Sequence, residues 1–357
     1  MIIFVLQARC IAAVVADTQR TRFLVGTLSL REENEIHLLQ IGDKTGALAF
    51  DGLYTHPSEI WGLSACPFDV SILSTVYASA GEFGAAIWKL PERARGAANT
   101  PLQKLASLDG HTQRIKCTLW FPKGKHHQIV SIDAENLYVW DLDPSGKPAK
   151  ELGRVSSGLQ QMAGGCWSPH DVYIVATACG TSLKCWDLRT MKEASTVDQA
   201  HAGQVRDLDY NPKRQHTIVT SGDDSKVRVW DLRMSGMPLS ELPGHAHWTL
   251  RVQYNRRYEE LILSAGTDAM VNLWYVPPPA EGKSKSSPKI SDPLVRSHHE
   301  HEDSIYGIAW SARDPWVFAS LSYDGNVSLS FVQSFLRNIL LSLRFTSTTS
   351  LKQFAKS

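Results

Sequence analysis

The sequence predicts an all-β fold, a seven-bladed β-propeller, on three observations. First, the string Trp-Asp-Leu-Arg occurs twice, with Trp186 and Trp230 lying 44 residues apart. Self-similarity at a period of roughly 40–45 residues is the signature of propeller blades. Second, two aromatic columns keep a nearly constant distance inside each unit. Third, short runs alternate apolar and polar residues and are broken by turn residues, with no helical periodicity between them.

The first column ends the runs IHLL, AAIW, LYVW, LKCW, VRVW, VNLW and VSLS, and holds Leu39, Trp88, Trp140, Trp186, Trp230, Trp274 and Ser330. The second column holds Trp120, Trp167, Tyr210, Tyr254 and Trp310. From second column to first the distances are 20, 19, 20, 20 and 20 residues, whereas the second column itself advances by 47, 43, 44 and 56. Constant spacing inside a unit and variable spacing between units describe one supersecondary module joined by loops of different length. In the unit ending at Trp230, QVRDLDY, HTIVTSG and KVRVWDL read as three consecutive antiparallel strands, separated by Asn211-Pro212-Lys213 and Gly222-Asp223-Asp224. Seven such units place blades near 10–50, 56–90, 111–142, 160–189, 201–233, 245–276 and 301–332. Closing the ring requires a strand from one terminus to complete the blade built by the other, because an open edge invites aggregation. Residues 2–8 are the apolar candidate.

Composition narrows the function classes. The 357 residues carry 37 Lys plus Arg against 36 Asp plus Glu, a formal charge of +1. That balance gives no general attraction to nucleic acid or an anionic membrane, and the basic strings KGKHH and KRQH are short and offset by acids. No apolar run reaches the length of a bilayer span. The N-terminal MIIFVLQARC has no basic leader and is interrupted by Arg9, so it reads as a first strand rather than a signal peptide. The six scattered cysteines form no Cys-x-x-Cys pair and read as reduced cytosolic residues within strands, Cys179 and Cys185 on neighbouring ones. No phosphate-cradling loop, nucleophile elbow or His-Glu-x-x-His motif occurs. His298, His299 and His301 invite a metal reading, but no fixed carboxylate accompanies them and His301 belongs to a repeat column. Neither a cofactor nor a metal is expected.

At the head of several units a histidine follows a small or acidic residue, at His111, His201, His245 and His301. Asp224, Asp268 and Asp324 lie six residues before the first column, and Thr220, Ser264 and Ser320 four residues earlier still. In these columns the units resemble WD-repeat blades. The resemblance implies a chain in which Asp accepts from His, His meets the hydroxyl, and the hydroxyl meets the Trp indole. Such a chain satisfies a buried indole and a buried carboxylate together. The full set is His201, Thr220, Asp224 and Trp230 in one unit and His245, Ser264, Asp268 and Trp274 in the next. The units ending at Trp140 and Trp186 lack the Asp, with Ala134 and Gly180 in its place, and the last unit lacks the Trp. These His–Asp pairs are expected to be scaffold rather than catalytic dyads.

More particular strings are RFLVGTLSLREENEIHLLQ at 22–40, EIWGLSACPFD at 59–69, GQVRDLDYNP at 203–212 and EHEDSIYGIAWSARDPWVFASLSYDG at 300–325. Over roughly residues 20–330 they resemble the WD-repeat proteins that interact with the endosome-associated recycling and Golgi-associated retrograde protein complexes. The resemblance implies a non-enzymatic, cytoplasmic partner of multisubunit tethering complexes, peripheral to the trans-Golgi network and endosomes and expected as a monomeric propeller. It would support retrograde transport, endosomal recycling and secretory-granule cargo sorting.

Asp187 with Arg189, and Asp231 with Arg233, suggest a second use. Trp-Asp-x-Arg on adjacent blades is similar to the signature of substrate receptors that dock on the adaptor of cullin-4 ubiquitin ligases, and a guanidinium at a blade edge can grip a partner's carboxylates bidentately. Two segments fall outside the blades. Residues 277–299, rich in proline, serine and lysine, read as a flexible insertion. Residues 333–357 read as an amphipathic helical stripe followed by a polar tail; packing on its own propeller is the favoured reading of the stripe, with contact to a partner or a membrane interface as the alternatives.

Overall fold

The computed structural model describes residues 2–5, 7–30, 33–42, 46–79, 81–91, 100–123, 128–143, 148–158, 161–234, 236–278, 292–332, 337 and 340. Among these, seven antiparallel sheets are set around a ring. Strand β1 (Ile2–Phe4) stands apart at the start. The first blade is β2 (Ala8–Ala13), β3 (Arg22–Thr27), β4 (Asn34–Ile41) and β5 (Leu48–His56). The second begins with β6 (Glu59–Ala65), β7 (Ile72–Ser79) and β8 (Glu82–Lys89). Next comes β9 (Thr100–Pro101), which joins β5 in parallel, and then the outer strand β10 (Gln103–Ser107). The third blade is β11 (Cys117–Trp120), β12 (Gln128–Ile132), β13 (Asn136–Asp141) and β14 (Lys150–Ser156). The fourth is β15 (Met162–Trp167), β16 (Ile174–Cys179), β17 (Ser182–Asp187) and β18 (Lys192–Val197). The fifth is β19 (Val205–Tyr210), β20 (Thr217–Gly222), β21 (Lys226–Asp231) and β22 (Ser240–Pro243). The sixth is β23 (Thr249–Tyr254), β24 (Leu261–Gly266), β25 (Val271–Tyr275) and β26 (Leu294–His298). The seventh is β27 (Ile305–Trp310), β28 (Val317–Ser322) and β29 (Asn326–Phe331).

Strand β1 completes that last sheet, pairing Ile2 with Ser328, Ile3 with Val327 and Phe4 with Asn326. The N-terminal apolar run thus fills the edge that β29 would otherwise expose. The innermost strands touch in the cyclic order β2, β6, β11, β15, β19, β23, β27 and back to β2, so the ring is closed.

Both sequence columns have a structural meaning. The second-column aromatics end the innermost strands β11, β15, β19, β23 and β27, and the first-column residues lie on the third strand of every blade. All five first-column tryptophans are buried. The apolar residues pack between neighbouring sheets: Ala176, Ala178 and Leu183 of the fourth blade share one core with Leu208, Tyr210, Ile218 and Trp230 of the fifth. Each blade therefore has two covered faces, which explains why every residue of β20 and β24 is buried.

The outer strands mark where sequence expectations need correction. Each expected blade from the second to the sixth stops one strand short of its sheet, because β10, β14, β18, β22 and β26 are polar and partly exposed and repeat no column. The segment 277–299 is not wholly an insertion, since Leu294–His298 forms β26, with Val271 opposite His298 and Trp274 opposite Leu294. Residues 279–291 lie outside the described residues. Most of the C-terminal stripe also lies outside them. Of that stripe, Arg337 and Leu340 are described as helical, and Leu340, 3% exposed, joins the core containing Tyr258, Trp316 and Val332.

Six inner strands share one irregularity. Pairing with the second strand skips Arg9, Trp61, Ala163, Arg206, Leu250 and Tyr306. An extra residue of this kind bends the strand and re-aims a side chain. All six lie at the same end of the ring, where the inner strands begin.

Candidate interaction surface

The hydrogen-bond chains determine which polar residues are committed to the scaffold. In the fifth blade the His201 Nδ1–H donates to Asp224 Oδ1 at 2.7 Å, and Nε2 accepts from the Thr220 hydroxyl at 2.8 Å. The Thr220 oxygen accepts the Trp230 indole N–H at 2.9 Å. The sixth blade repeats the chain, with His245 to Asp268 at 2.9 Å, His245 to Ser264 at 2.7 Å and Trp274 to Ser264 at 2.7 Å. The histidine tautomers follow from these partners. Burial alone would raise the Asp224 carboxyl, but bonds and charge from His201 and Arg228 hold it below the usual carboxylate range. Asp268 is held down in the same way by His245. All the hydrogen-bonding groups of these chains are spoken for.

The third blade corrects the reading that it lacks an aspartate. Asp133 takes the role, accepting from His111 at 2.9 Å, while Ser131 meets His111 Nε2 and the Trp140 indole, each at 2.7 Å. Its hairpin is one residue shorter: Ser131 pairs with Tyr138 where Thr220 pairs with Arg228. The acid therefore moves from four residues after the hydroxyl to two. In the fifth blade that nearer place is Gly222, where a Cβ would sit 2.6 Å from His201 Nδ1. The glycine leaves the imidazole room to reach the farther Asp224.

The remaining blades carry reduced versions. In the seventh, His301 meets Ser320 at 2.7 Å and Ser322 at 2.9 Å, and Ser322 passes the contact on to Asp324. Ser330, in place of the tryptophan, donates to Glu300 at 2.7 Å. In the second, the Trp88 indole donates to Thr75 at 2.7 Å and His56 contacts Thr75 at 3.1 Å, but His56 Nδ1 donates to the Ser58 carbonyl instead of to an acid. The fourth keeps the Trp186–Thr177 bond at 2.7 Å, with Cys179 Sγ 3.1 Å from the Thr177 hydroxyl. His298 is buried, with its Nδ1 3.4 Å from Glu300 Oε1 and its ring edge-on to Phe318 at 5.2 Å. None of the six cysteines is in a disulfide, and Cys179 and Cys185 do lie on adjacent strands.

The two arginine motifs are near-copies of each other. Arg189 Nε and Nη2 donate to Asp187 at 3.0 and 2.7 Å, and Arg233 Nε and Nη2 donate to Asp231 at 2.9 and 2.6 Å. Those hydrogen bonds hold the Asp187 carboxyl at about 2 and keep Asp231 below its usual range. The bidentate fork expected for a partner is thus already closed on the aspartate two residues earlier. What projects from the blade is the Nη1 edge of a guanidinium whose side chain is 56% exposed at Arg189 and 68% at Arg233. Arg189 also lies 4.9 Å over the Tyr173 ring. Pinned in this way, each arginine presents its free donors without the entropy loss of ordering a loose side chain.

Comparison with known proteins places the chain. The family described as EIPR1 beta-propeller matches residues 4–274, and the WD domain, G-beta repeat, matches residues 293–329. The chain belongs to the EIPR1 beta-propeller family. It is 48% identical over 336 residues to WD repeat-containing protein DWA2 of Arabidopsis thaliana, covering 92% of this chain and 95% of that one. Against EARP and GARP complex-interacting protein 1 of Rattus norvegicus it is 33% identical over 372 residues, 94% of this chain and 96% of the relative. The EARP-interacting protein homolog of Dictyostelium discoideum is 37% identical over 390 residues, at 94% and 95% coverage.

Other polar groups of this EIPR1-family propeller were not legible in its motifs. Arg228 donates to Asp224 at 2.7 Å and to the Ala200 carbonyl at 2.9 Å, tying the fifth-blade chain to the loop before it. Asp207 and Asp209, on β19, accept the backbone N–H groups of Val252 and Tyr254 on β23, at 3.1 and 2.9 Å, and so fasten two inner strands that share no sheet. Burial pushes the Asp207 carboxyl up to about 6. Alternation of acids along VRDLDY was the available signal, but it also fits a solvated strand face.

Proposed function

We propose that this propeller is a non-enzymatic interactor of vesicle-tethering complexes of the EARP and GARP kind. In this reading it supports their recruitment to trans-Golgi network and endosomal membranes, and with it retrograde transport, endosomal recycling and secretory-granule cargo sorting. It would act from the cytoplasm as a peripheral component. The carrying observation is the end-to-end match to relatives whose names state that interaction, at 94% coverage of this chain. The geometry is in keeping with it: the His–Asp pairs are consumed by blade scaffolding, leaving rims and loops as the working surfaces. No helix among the described residues is long and apolar enough to cross a membrane. Anchorage through a partner fits that observation.

A second reading is favoured by the paired arginine forks: docking on the adaptor of a cullin-4 ubiquitin ligase through Asp187, Arg189, Asp231 and Arg233. One experiment separates the two. Tagged chain, wild type and R189A/R233A, is used for affinity capture from cell extract with mass spectrometry. The tethering reading expects tether subunits with both forms, and recovery of the ligase adaptor without them would overturn it. If the second reading also holds, the double variant loses the adaptor alone. Loss of both partners would mean that the forks brace the blade edge.

A further inference from the structure

The bulged residues at the start of the inner strands assemble a collar around one mouth of the central channel. Rings and guanidiniums interleave: Arg9 lies 4.5 Å from the Tyr306 ring and 4.7 Å from the Trp61 ring, and Arg114 lies 4.1 Å from the Trp61 ring and 5.4 Å from the Phe83 ring. Arg206 stands 5.4 Å from the Trp248 ring and is paired with Asp223 at 2.6 Å. Arg251 donates to the Tyr306 carbonyl at 2.8 Å, and Lys116 is close enough to Arg114 and Arg206 to feel both charges. Among the described residues, no carboxylate oxygen lies within ion-pair distance of Arg9, Arg114, Lys116 or Arg251. Asp133 and Asp207 act on Lys116 and Arg251 only at longer range, so the cluster is incompletely neutralised, and Arg9, Arg114 and Lys116 repel one another. The Trp61 indole N–H is buried and also has no partner.

We propose that this collar binds an extended acidic peptide segment of a partner protein. Rings cover the faces of the Arg9 and Arg114 guanidiniums, leaving their N–H edges as the available donors, the geometry that carboxylates accept. Two other polyanions fit less well. A base would need a bare aromatic face to stack on, whereas Trp61 has Arg9 at 4.7 Å and Arg114 at 4.1 Å, and Trp248, 44% exposed, has Arg206 at 5.4 Å. A bilayer presents its phosphates as a plane, whereas Arg9, Arg114, Lys116 and Arg206 are half-buried at the channel mouth. The opposite mouth, a cavity of about 400 Å³ at the far ends of β2, β6, β23 and β27, offers Arg256, which is already paired with Asp209 at 3.3 Å. The proposal concerns a different surface from the arginine forks and holds whichever complex supplies the segment.

The test is fluorescence anisotropy of labelled decaglutamate with the full chain. Decalysine, oligothymidine and phosphatidylserine vesicles serve as competing probes. Decaglutamate is expected to bind, to weaken as salt is raised, and to lose about tenfold in affinity with R9Q/R114Q. K150E, on the outer strand β14, is expected to bind as wild type does. Circular dichroism checks that the variants fold, and if R9Q/R114Q does not, K116Q/R251Q is expected to show the same loss. Absence of decaglutamate binding, equal binding by folded collar variants, or tighter binding of oligothymidine or vesicles would overturn the proposal.

Discussion

The fifth and seventh blades solve one problem with different residues. Each must bury a histidine from the preceding loop against a hydroxyl on its second strand. In the fifth, His201 is closed by Asp224 and the hydroxyl by Trp230, with Arg228 bonded to the same carboxylate. In the seventh, Ser322 stands between His301 and Asp324, and the place of the indole is taken by Ser330, whose hydroxyl turns to Glu300. The constant element is the His–hydroxyl contact, 2.8 Å in one and 2.7 Å in the other. What varies is how the outer ends of the chain are satisfied. A blade tolerates loss of Trp or of direct Asp contact when every group they would have paired finds another partner.

The largest expected effect breaks that symmetry. In the fifth blade, Asp224→Ala removes a carboxylate shared by His201 and Arg228, leaving the buried His201 Nδ1 3.0 Å from a guanidinium nitrogen and Arg228 with Glu241, at 2.9 Å, as its remaining carboxylate. Breaking a buried pair of this kind costs about 3 kcal/mol or more. Asp324→Ala in the seventh leaves Ser322 in contact with His301 and should cost only about 1 kcal/mol. Urea denaturation of the two variants measures the difference, and equal losses would show that the two chains are not alternative solutions.

The comparison also marks what could be read from sequence. Seven repeats, the inner and third strands, and the two complete chains follow from spacing, because burial between two sheets forces the same residue types at the same offsets. The third-blade chain did not follow. The column puts the acid six residues before the tryptophan, at Ala134, whereas the hairpin one residue shorter places it at Asp133, seven before. Outer strands were hidden for a different reason: β10, β14 and β22 have one sheet neighbour within the blade and much solvent, so almost any polar sequence suffices. The collar was the least legible part. Arg9, Trp61 and Tyr306 lie in unrelated strings, and only the shared bulge brings them to one mouth.

An intermediate effect comes from pH, because the two kinds of chain titrate in different windows. Burial lowers His56 to about 4 and also lowers His301, two histidines of the blade chains that bond to hydroxyls or a carbonyl instead of directly to a carboxylate. Above about 6.5 both are neutral whether folded or unfolded. As pH falls from there towards 4, the unfolded chain takes up protons that the folded one refuses, and stability declines, by roughly 3 kcal/mol for His56. The lowered carboxyls Asp133, Asp224 and Asp268 act in the same direction but later, their contribution declining as pH falls below about 4 towards their depressed folded values. Asp207, raised to about 6, works the other way, since it gains a proton on folding between about 6 and 4. Hydrogen exchange followed at pH 5, with the intrinsic rate corrected, should therefore find strands β7, β8, β28 and β29 losing protection before β20 and β21. Simultaneous loss would mean that the acid-linked histidines are no better held than the others.

The smallest effect sharpens the account of the missing tryptophan. Glu300 Oε2 accepts from Ser330 at 2.7 Å and from Ser328 at 3.1 Å, so Ser330→Ala removes one donor of two. Burial tends to raise the Glu300 carboxyl, and the Ser330 bond heads the interactions that hold it below its usual range. The expected loss is about 1 kcal/mol, that of one hydrogen bond to a group that keeps another. It should appear in urea denaturation at neutral pH and shrink as Glu300 is protonated in acid. A loss above about 3 kcal/mol would mean that Ser330 carries the packing role of the tryptophan it replaces, and the seventh blade would then depend on that one side chain as the fifth depends on Asp224.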